Sequence, residues 1–113
     1  MTDVISWTSI EGLEKAMGVP AAHAFAKRLL GFLELKVAEI PVAFDSGDGE
    51  QIRNCVHKLA SNAAALGALK LSGMAREIET LCHAGKPADA AARQDAFAAL
   101  AAESLEILRQ KLT

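Results

Sequence analysis

His57 is the side chain whose type and setting point most directly to chemistry in this sequence. A neutral imidazole nitrogen is a competent covalent nucleophile near neutral pH and can accept a phosphoryl group. Such an acceptor must be exposed, lie in line with the donor and have no bulky neighbours. We predict that His57 meets these conditions better than His23 or His83, because small residues surround it along the chain.

Helical spacing places the neighbours of His57. Arg53 and Ser61 lie four residues before and after it, so in a helix they share its face. Ala60 and Ala64 flank it with side chains too short to cover it. We therefore expect the imidazole to stand on a low apolar surface with one guanidinium in reach, which suits a partner that presses flat against it.

The segment that carries His57 is predicted to be an amphipathic helix. Asp48, with Gln51 three residues later, caps its start, and Gly67 ends it as a left-handed C-cap. At about 100° per residue, His57 lies about 140° from Ile52 and so points away from the apolar stripe. That stripe consists of Ile52, Cys55, Val56, Leu59, Ala63 and Leu66.

Other kinds of chemistry find little support. No glycine-rich strand-to-helix loop is present to hold a nucleotide, so we expect neither ATP binding nor autonomous kinase activity. No His-x-x-x-His or paired Glu-x-x-His spacing predicts a metal site, and the three histidines fall on separate predicted helices. Cys55 and Cys82 lie on apolar stripes, where we expect them to pack as small hydrophobic residues without a disulfide.

Composition favours one all-α domain over residues 1–113. The sequence holds 23 alanines and no tyrosine, and alanine is the best helix former. The net charge is −2 with the two signs interleaved, so we expect no nucleic-acid or membrane partner. With no signal-peptide pattern and no apolar run that could span a bilayer, we expect a cytoplasmic protein.

Turn signals divide the chain into helices. Thr8–Glu11 is predicted to be a capping box that starts a short leading helix, and Pro20 opens the next one. Pro41 interrupts this second helix, which either kinks there or ends near Ile40, and we favour a kink because the apolar pattern resumes through Phe44. The predicted apolar face of the second helix consists of Phe25, Leu29, Phe32, Leu33, Val37, Ile40 and Phe44.

The remaining helices complete a bundle. Gly85–Pro87 ends a helix that carries Leu71 and Ile78, and Asp89 is expected to begin the last one. Short loops favour antiparallel neighbours, so the predicted fold is an up-down-up-down four-helix bundle with a short extra N-terminal helix.

The residues from His57 to Ala68 resemble the motif of histidine-containing phosphotransfer (HPt) domains. That motif reads His-x-Leu-Lys-Gly-Ser-x-x-x-Leu-Gly, and this chain matches it at His57, Leu59, Leu66 and Gly67. The helix over Leu71–Glu79 also resembles the family's Leu…Leu-Glu helix. The resemblance extends over most of the chain, roughly from the second helix onward.

The resemblance implies a four-helix bundle that acts as a stand-alone phosphorelay intermediate. His57 would take phosphate from the aspartate of one receiver domain and pass it to the aspartate of another. The expected partners are therefore the receivers of a hybrid histidine kinase and of a response regulator. The receiver would supply the acidic pocket and Mg²⁺, so we expect no intrinsic cofactor in this chain, and we expect a monomer.

Two of the positions that depart from the family pattern bear on the phosphoryl site. The family's Lys, which helps hold the phosphoryl charge, is Ala60 here, and the following Gly is Ser61. Arg53 could supply part of that charge from the adjacent turn, whereas Lys58 lies about 100° away round the helix and is the weaker candidate. The predicted phosphoryl-stabilising or docking residues are Arg53, Lys58, Ala60, Ser61, Ala64 and Gly67.

Two alternative functions stay open at this point. A structural or inhibitory bundle would dock a receiver or kinase without turning over phosphate, as the loss of the family's Lys suggests. A bundle could also bind metal or haem through its histidines. Formation of acid-labile phosphohistidine separates the phosphocarrier from the first alternative, and an absorption spectrum with metal analysis tests the second.

Overall fold

The computed structural model describes residues 3–112, and every element in that range is a helix. Four long helices, α2, α4, α5 and α7, form a ring in which each contacts its two neighbours, with α1 packed on α2. The predicted all-α bundle with a short leading helix is confirmed. The helices are α1 (Thr8–Met17), α2 (Val19–Ala38), α3 (Ile40–Asp45), α4 (Gly49–Ala65), α5 (Leu69–His83), α6 (Pro87–Ala91) and α7 (Gln94–Leu112).

The helix α4 forms as its sequence predicts. The carboxylate of Asp48 accepts a hydrogen bond from the Glu50 amide at 2.9 Å, which caps the helix start. Gly67 has φ +83°, and the amide of Ala68 donates to the carbonyl of Ala63 at 2.8 Å, so the helix ends in a Schellman motif. The whole predicted stripe is buried: Ile52, Cys55, Val56, Leu59, Ala63 and Leu66.

Alanines contribute many of the buried residues of the core. Small side chains on facing helices let the backbones approach closely, and leucine, isoleucine and phenylalanine side chains fill the remaining space. Phe97 of α7 is one of these, and its ring lies 6.4 Å from that of Phe44. The alanines with no exposed surface are Ala22, Ala26, Ala60, Ala63, Ala68, Ala75, Ala90 and Ala101.

The predicted inner face of α2 is partly wrong. Phe25 and Phe32 are 40% and 49% exposed, so both point away from the core. The buried stripe runs instead through Ala22, Ala26, Leu30 and Leu33. A pattern of large apolar residues overlooks this stripe because its first half is alanine, which the close helix packing requires.

The helix that leads to Pro41 is interrupted at a single residue, Glu39. α2 ends at Ala38 and α3 begins at Ile40, while Glu39 between them keeps helical angles of φ −79° and ψ −14°. The prediction of one kinked helix is therefore wrong in assignment, although the apolar pattern does resume and Phe44 is buried. Pro41 lies in the first turn of α3, where a missing N–H is harmless.

Two other predicted helix starts are also wrong. Trp7 is the N-cap of α1 and makes no side-chain capping bond, because its indole N–H can only donate, and Thr8 lies inside the first turn. Asp89 does not begin the last helix, because Pro87 starts the separate short helix α6, and α7 begins only at Gln94.

Within residues 3–112, no helix has both the length and the apolar character needed to cross a membrane.

Candidate functional site

His57 lies in the middle of α4, on the side opposite the buried stripe. Its side chain is 55% exposed, so the predicted exposure is confirmed. The helix fixes this direction because Val56 and Leu59, on either side of it in sequence, are completely buried. The imidazole is consequently anchored by a rigid element and open to a partner.

The carboxylate of Glu79, on α5, orients the imidazole. Nδ1 of His57 lies 2.6 Å from Oε2 of Glu79, whose side chain is only 20% exposed. An ionised carboxylate can only accept a hydrogen bond, so Nδ1 carries the proton in this contact, and in the neutral imidazole Nε2 keeps its lone pair. The pair thus leaves Nε2 as the nucleophilic nitrogen of an exposed imidazole.

Arg76 also contacts the Glu79 carboxylate, so Arg76, Glu79 and His57 form one hydrogen-bonded chain of polar groups. Its Nη1 donates to Oε1 of Glu79 at 3.3 Å, so one carboxylate bridges the guanidinium and the imidazole. Partial burial by itself would raise the pKa of Glu79, but the hydrogen bonds from His57 and Arg76 outweigh it and leave the pKa lowered. Glu79 therefore stays ionised and keeps accepting from Nδ1.

Arg53 lies in a shallow groove beside this chain of groups. The groove is lined by Arg53, Glu79, Thr80, His83 and Ala84. Arg53 is half-buried, as expected for a residue four positions before His57. Its position one helical turn before His57, in a groove that Glu79 also lines, keeps it a candidate for the phosphoryl-stabilising cation, and that role stays a prediction.

Lys58 and Ser61 line a second groove, on the other side of the imidazole. Phe32 and Leu35 of α2 share this groove with His57. The Ser61 hydroxyl donates to the carbonyl of His57 at a long 3.5 Å, so it is turned toward its own helix rather than toward the imidazole. Both residues remain exposed and could meet a partner.

Three other predicted site residues, Ala60, Ala64 and Gly67, are buried to different degrees. Ala60 is completely buried between α4 and α5, where the Ser72 hydroxyl donates to its carbonyl at 3.0 Å. The prediction that Ala60 forms part of the exposed surface beside His57 is therefore wrong. Ala64 is half-buried. Gly67 is buried, and its carbonyl accepts from the Ser6 amide at 2.7 Å, so it shapes the turn and offers no docking surface.

The other two histidines occupy different settings. Nε2 of His23 lies 2.7 Å from Oε2 of Glu14, and the His23 side chain is only 27% exposed, so it is less accessible than a surface residue. His83 is exposed in the last turn of α5, near a favourable helix dipole end. His57 is the one whose Nδ1 is held while its side chain stays open.

Metal ligands do not cluster in the part of the chain that the structure describes. Among residues 3–112, no group of three or more His, Cys, Asp or Glu side chains could hold a metal ion. Cys55 and Cys82 are free thiols.

Sequence reasoning left Glu79 and Arg76 without a role. A signal was available, because α4 and α5 are joined by the tight turn at Gly67, and residues at similar distances on either side of such a turn face each other. His57 precedes Gly67 by ten residues and Glu79 follows it by twelve. Arg76 and Glu79 also have the spacing of an ion pair along one helix.

Comparison with known proteins adds two findings. The model of the Hpt domain family matches residues 10–111. The crystal structure of histidine-containing phosphotransfer protein B from Pseudomonas aeruginosa PAO1 aligns with a TM-score of 0.85 at 17% sequence identity, covering 99% of this chain and 96% of that one. At this identity the likeness shows the fold alone. Among curated protein sequences no relative matches.

Proposed function

The chain belongs to the Hpt domain family of phosphotransfer proteins in two-component signalling, and we propose that it relays a phosphoryl group between receiver-domain aspartates through Nε2 of His57. The observation that carries this proposal is the pair formed by His57 and Glu79, in which Nδ1 is held at 2.6 Å while the imidazole remains exposed. The proposed partners are the receivers of a hybrid histidine kinase and of a response regulator.

The proposed reaction follows from this geometry. The lone pair on Nε2 of His57 attacks the phosphorus of an aspartyl phosphate on the donor receiver. A P–N bond forms, the P–O bond breaks, and its electron pair leaves with the aspartate carboxylate. The proton on Nδ1 stays in the hydrogen bond to Glu79, whose negative charge stabilises the positive imidazole ring that results. Onward transfer reverses these steps with the acceptor's aspartate as nucleophile.

Docking would use the exposed apolar side chains beside the imidazole. Phe32 and Leu35 are 49% and 64% exposed and share a groove with His57 and Lys58. Exposed apolar residues grouped around a reactive polar atom are typical of a partner surface. We propose that a receiver packs on this groove, so that its phosphorylated aspartate reaches Nε2 and its own Mg²⁺ neutralises the phosphoryl oxygens.

The test compares histidine variants in phosphate transfer from a phosphorylated receiver. His57→Gln should stay folded and accept no acid-labile, base-stable phosphate, because an amide offers no comparable nucleophile. His23→Gln is the matched control, because it removes the other imidazole that is paired with a glutamate, Glu14, at 2.7 Å. It should accept phosphate as the wild type does.

Two results would contradict the proposal. Phosphate acceptance by folded His57→Gln would move the site to another histidine, and His83→Gln would be tested next. A wild-type protein that binds the receiver without forming phosphohistidine would instead be the binding or inhibitory bundle that the loss of the family's Lys suggests.

Size-exclusion chromatography in the same buffer tests the proposed monomer.

A further inference from the structure

We propose that Arg76 supplies the positive charge that the family's Lys supplies in the HPt motif, where this chain has Ala60. The cation has moved from α4 to the facing helix α5. This inference rests on the proposed phosphorelay function and names a residue that acts in it.

The register between α4 and α5 is given by two contacts, from which we infer that positions 60 and 76 lie near each other. His57 contacts Glu79, and the carbonyl of Ala60 accepts from the hydroxyl of Ser72. Between these two contacts, one turn forward from His57 on α4 reaches Ala60, and one turn back from Glu79 on α5 reaches Arg76. A cation at either position therefore serves the same stretch of the helix pair.

Packing explains why the two cations exclude each other. Ala60 is completely buried under α5, so a lysine there would have to pass its chain out along the space beside Arg76. Two positive charges at facing positions would also repel each other. An alanine at position 60 allows α4 and α5 to stay in close contact. The Arg76 guanidinium then lies at the exposed edge of this contact, where its side chain is 49% exposed.

Arg76 is also the cation that the structure connects to His57. Its guanidinium donates to Glu79, which in turn accepts from Nδ1 of His57. Arg53 lies in the groove on the other flank of Glu79, and Lys58 lines the groove toward α2. Among the residues that the structure describes, Arg76 is thus the cation joined to the imidazole through a shared carboxylate.

The transfer step needs this charge. When phosphorus bonds to Nε2, a dianionic group arrives close to the Glu79 carboxylate, which must stay ionised to hold the proton on Nδ1. Arg76 offsets the repulsion between the two anions through its positive charge, which the guanidinium keeps at every physiological pH. The step itself forms the P–N bond and releases the aspartate carboxylate as described above.

Four variants test this assignment: Arg76→Ala, Arg76→Lys, the double variant Ala60→Lys/Arg76→Ala, and Arg93→Ala as a matched control. Arg93 also pairs with a glutamate on α5, at 2.7 Å from Glu77, and is 46% exposed. Phosphorylation is followed with a phosphorylated receiver and with phosphoramidate, a small donor that needs no docking. Circular dichroism checks folding, and the hydrolysis rate of phosphohistidine is measured for each variant.

We expect Arg76→Ala to slow phosphorylation by both donors by about tenfold, the loss typical of one charge-assisted hydrogen bond. Arg76→Lys should retain most of the rate because it keeps the charge. The double variant should recover it because the lysine returns to the family's position. Arg93→Ala should match the wild type.

Several outcomes would overturn the inference while the proposed function stands, since wild-type phosphorylation and its loss in His57→Gln are measured alongside. A wild-type rate in Arg76→Ala would do so. A defect with the receiver but not with phosphoramidate would make Arg76 a docking residue. If Arg76→Lys, or a folded double variant, were as slow as Arg76→Ala, the charge itself would not be what matters. A wild type that accepts no phosphate would instead contradict the proposed function.

Discussion

At the scale of single residues, Glu79 determines which nitrogen of His57 is free. Its lowered pKa reflects hydrogen bonds that exist only in the folded protein. A carboxyl group whose pKa is lower in the folded state stabilises that state fully above the ordinary value, here 4.5, and the contribution disappears as the pH falls through the lowered folded value. The orientation of the imidazole should disappear over the same acidic range.

We therefore predict a pH-dependent difference between the wild type and Glu79→Gln. The wild type should have the larger free energy of unfolding above pH 4.5, and the difference should shrink as the pH is lowered further, in denaturant titrations at a series of pH values. A carbon-13 NMR titration of Glu79 should give a midpoint below 4.5 that rises in Arg76→Ala. An equal midpoint in both proteins would show that Arg76 does not influence the carboxylate.

The cysteines allow a second prediction at this scale. Burial raises the pKa of the Cys55 thiol, the nearby Glu39 carboxylate raises it further, and Lys36 only partly opposes them. Burial also raises the pKa of Cys82, against the lowering effect of Arg53. Since the thiolate is the reactive form, iodoacetamide at pH 8 should alkylate both at least about tenfold more slowly in the folded protein than in urea.

Peptide mass spectrometry separates the two sites. Cys55 should react more slowly than Cys82, because Cys55 is buried and Cys82 is half-buried. Rapid labelling of Cys55 in the native protein would mean that α4 opens locally away from α2.

At the scale of elements, the turn between α4 and α5 sets the register on which the site depends. Gly67 has φ +83°, and a Cβ added there would collide with the carbonyl oxygen of Ser6. Gly67→Ala should therefore lower the free energy of unfolding by about 1–3 kcal/mol or more. Gly73→Ala is the control, because Gly73 has open space around it inside α5, and alanine there should stabilise by about 0.5–1 kcal/mol.

Thermal or urea unfolding of the two variants decides between these expectations. If Gly67→Ala were as stable as Gly73→Ala, the backbone of Ser6 would not be packed against the turn. The Gly67 variant should also transfer phosphate more slowly, since a shifted turn would move Glu79 relative to His57.

Elements were predictable where large apolar residues mark the buried face. α4 is such a case, because Ile52, Val56 and Leu59 outweigh its small residues. α2 is the opposite case, because alanines face the core and Phe32 faces solvent. Helix starts were less predictable, since at α1 the first turn is stabilised by packing of Trp7 against the core rather than by a side-chain cap.

The candidate site was predictable only along α4. Spacing along one helix placed His57 on the exposed side, which needs no knowledge of other elements. The contact with Glu79 depends on the register between two helices. From the sequence, the connection at Gly67 fixes that register only to within about one helical turn, and not to a single residue. Ala60 was misplaced for the same reason, because its burial comes from α5 and not from α4 itself.

At the scale of the whole molecule, stability and docking should depend on separate sets of leucines. Leu59 has no exposed surface, so Leu59→Ala should cost about 2–5 kcal/mol, a large part of a typical domain stability of about 5–15 kcal/mol. Leu35 is 64% exposed, so Leu35→Ala should change stability by no more than about 0.5 kcal/mol. Denaturant titration measures both.

Leu35→Ala, the variant with little effect on stability, should be the one that impairs docking of the receiver. Leu35→Ala should slow transfer from a phosphorylated receiver and leave phosphoramidate phosphorylation unchanged, because Leu35 lies in the groove beside His57 and takes no part in bond formation. Equal transfer rates in Leu35→Ala and the wild type would remove this groove from the docking surface.

The single free nitrogen of His57 determines how its two partners share it. Because Glu79 holds Nδ1, the proposed relay requires donor and acceptor receivers to occupy the same face one after the other. The steady-state kinetics should then be ping-pong, with parallel lines in double-reciprocal plots at varied donor and fixed acceptor concentrations. Unphosphorylated acceptor present in excess should compete with the donor and slow the loading of His57, so under the proposed relay the ratio of the two receivers would set the flux through this protein.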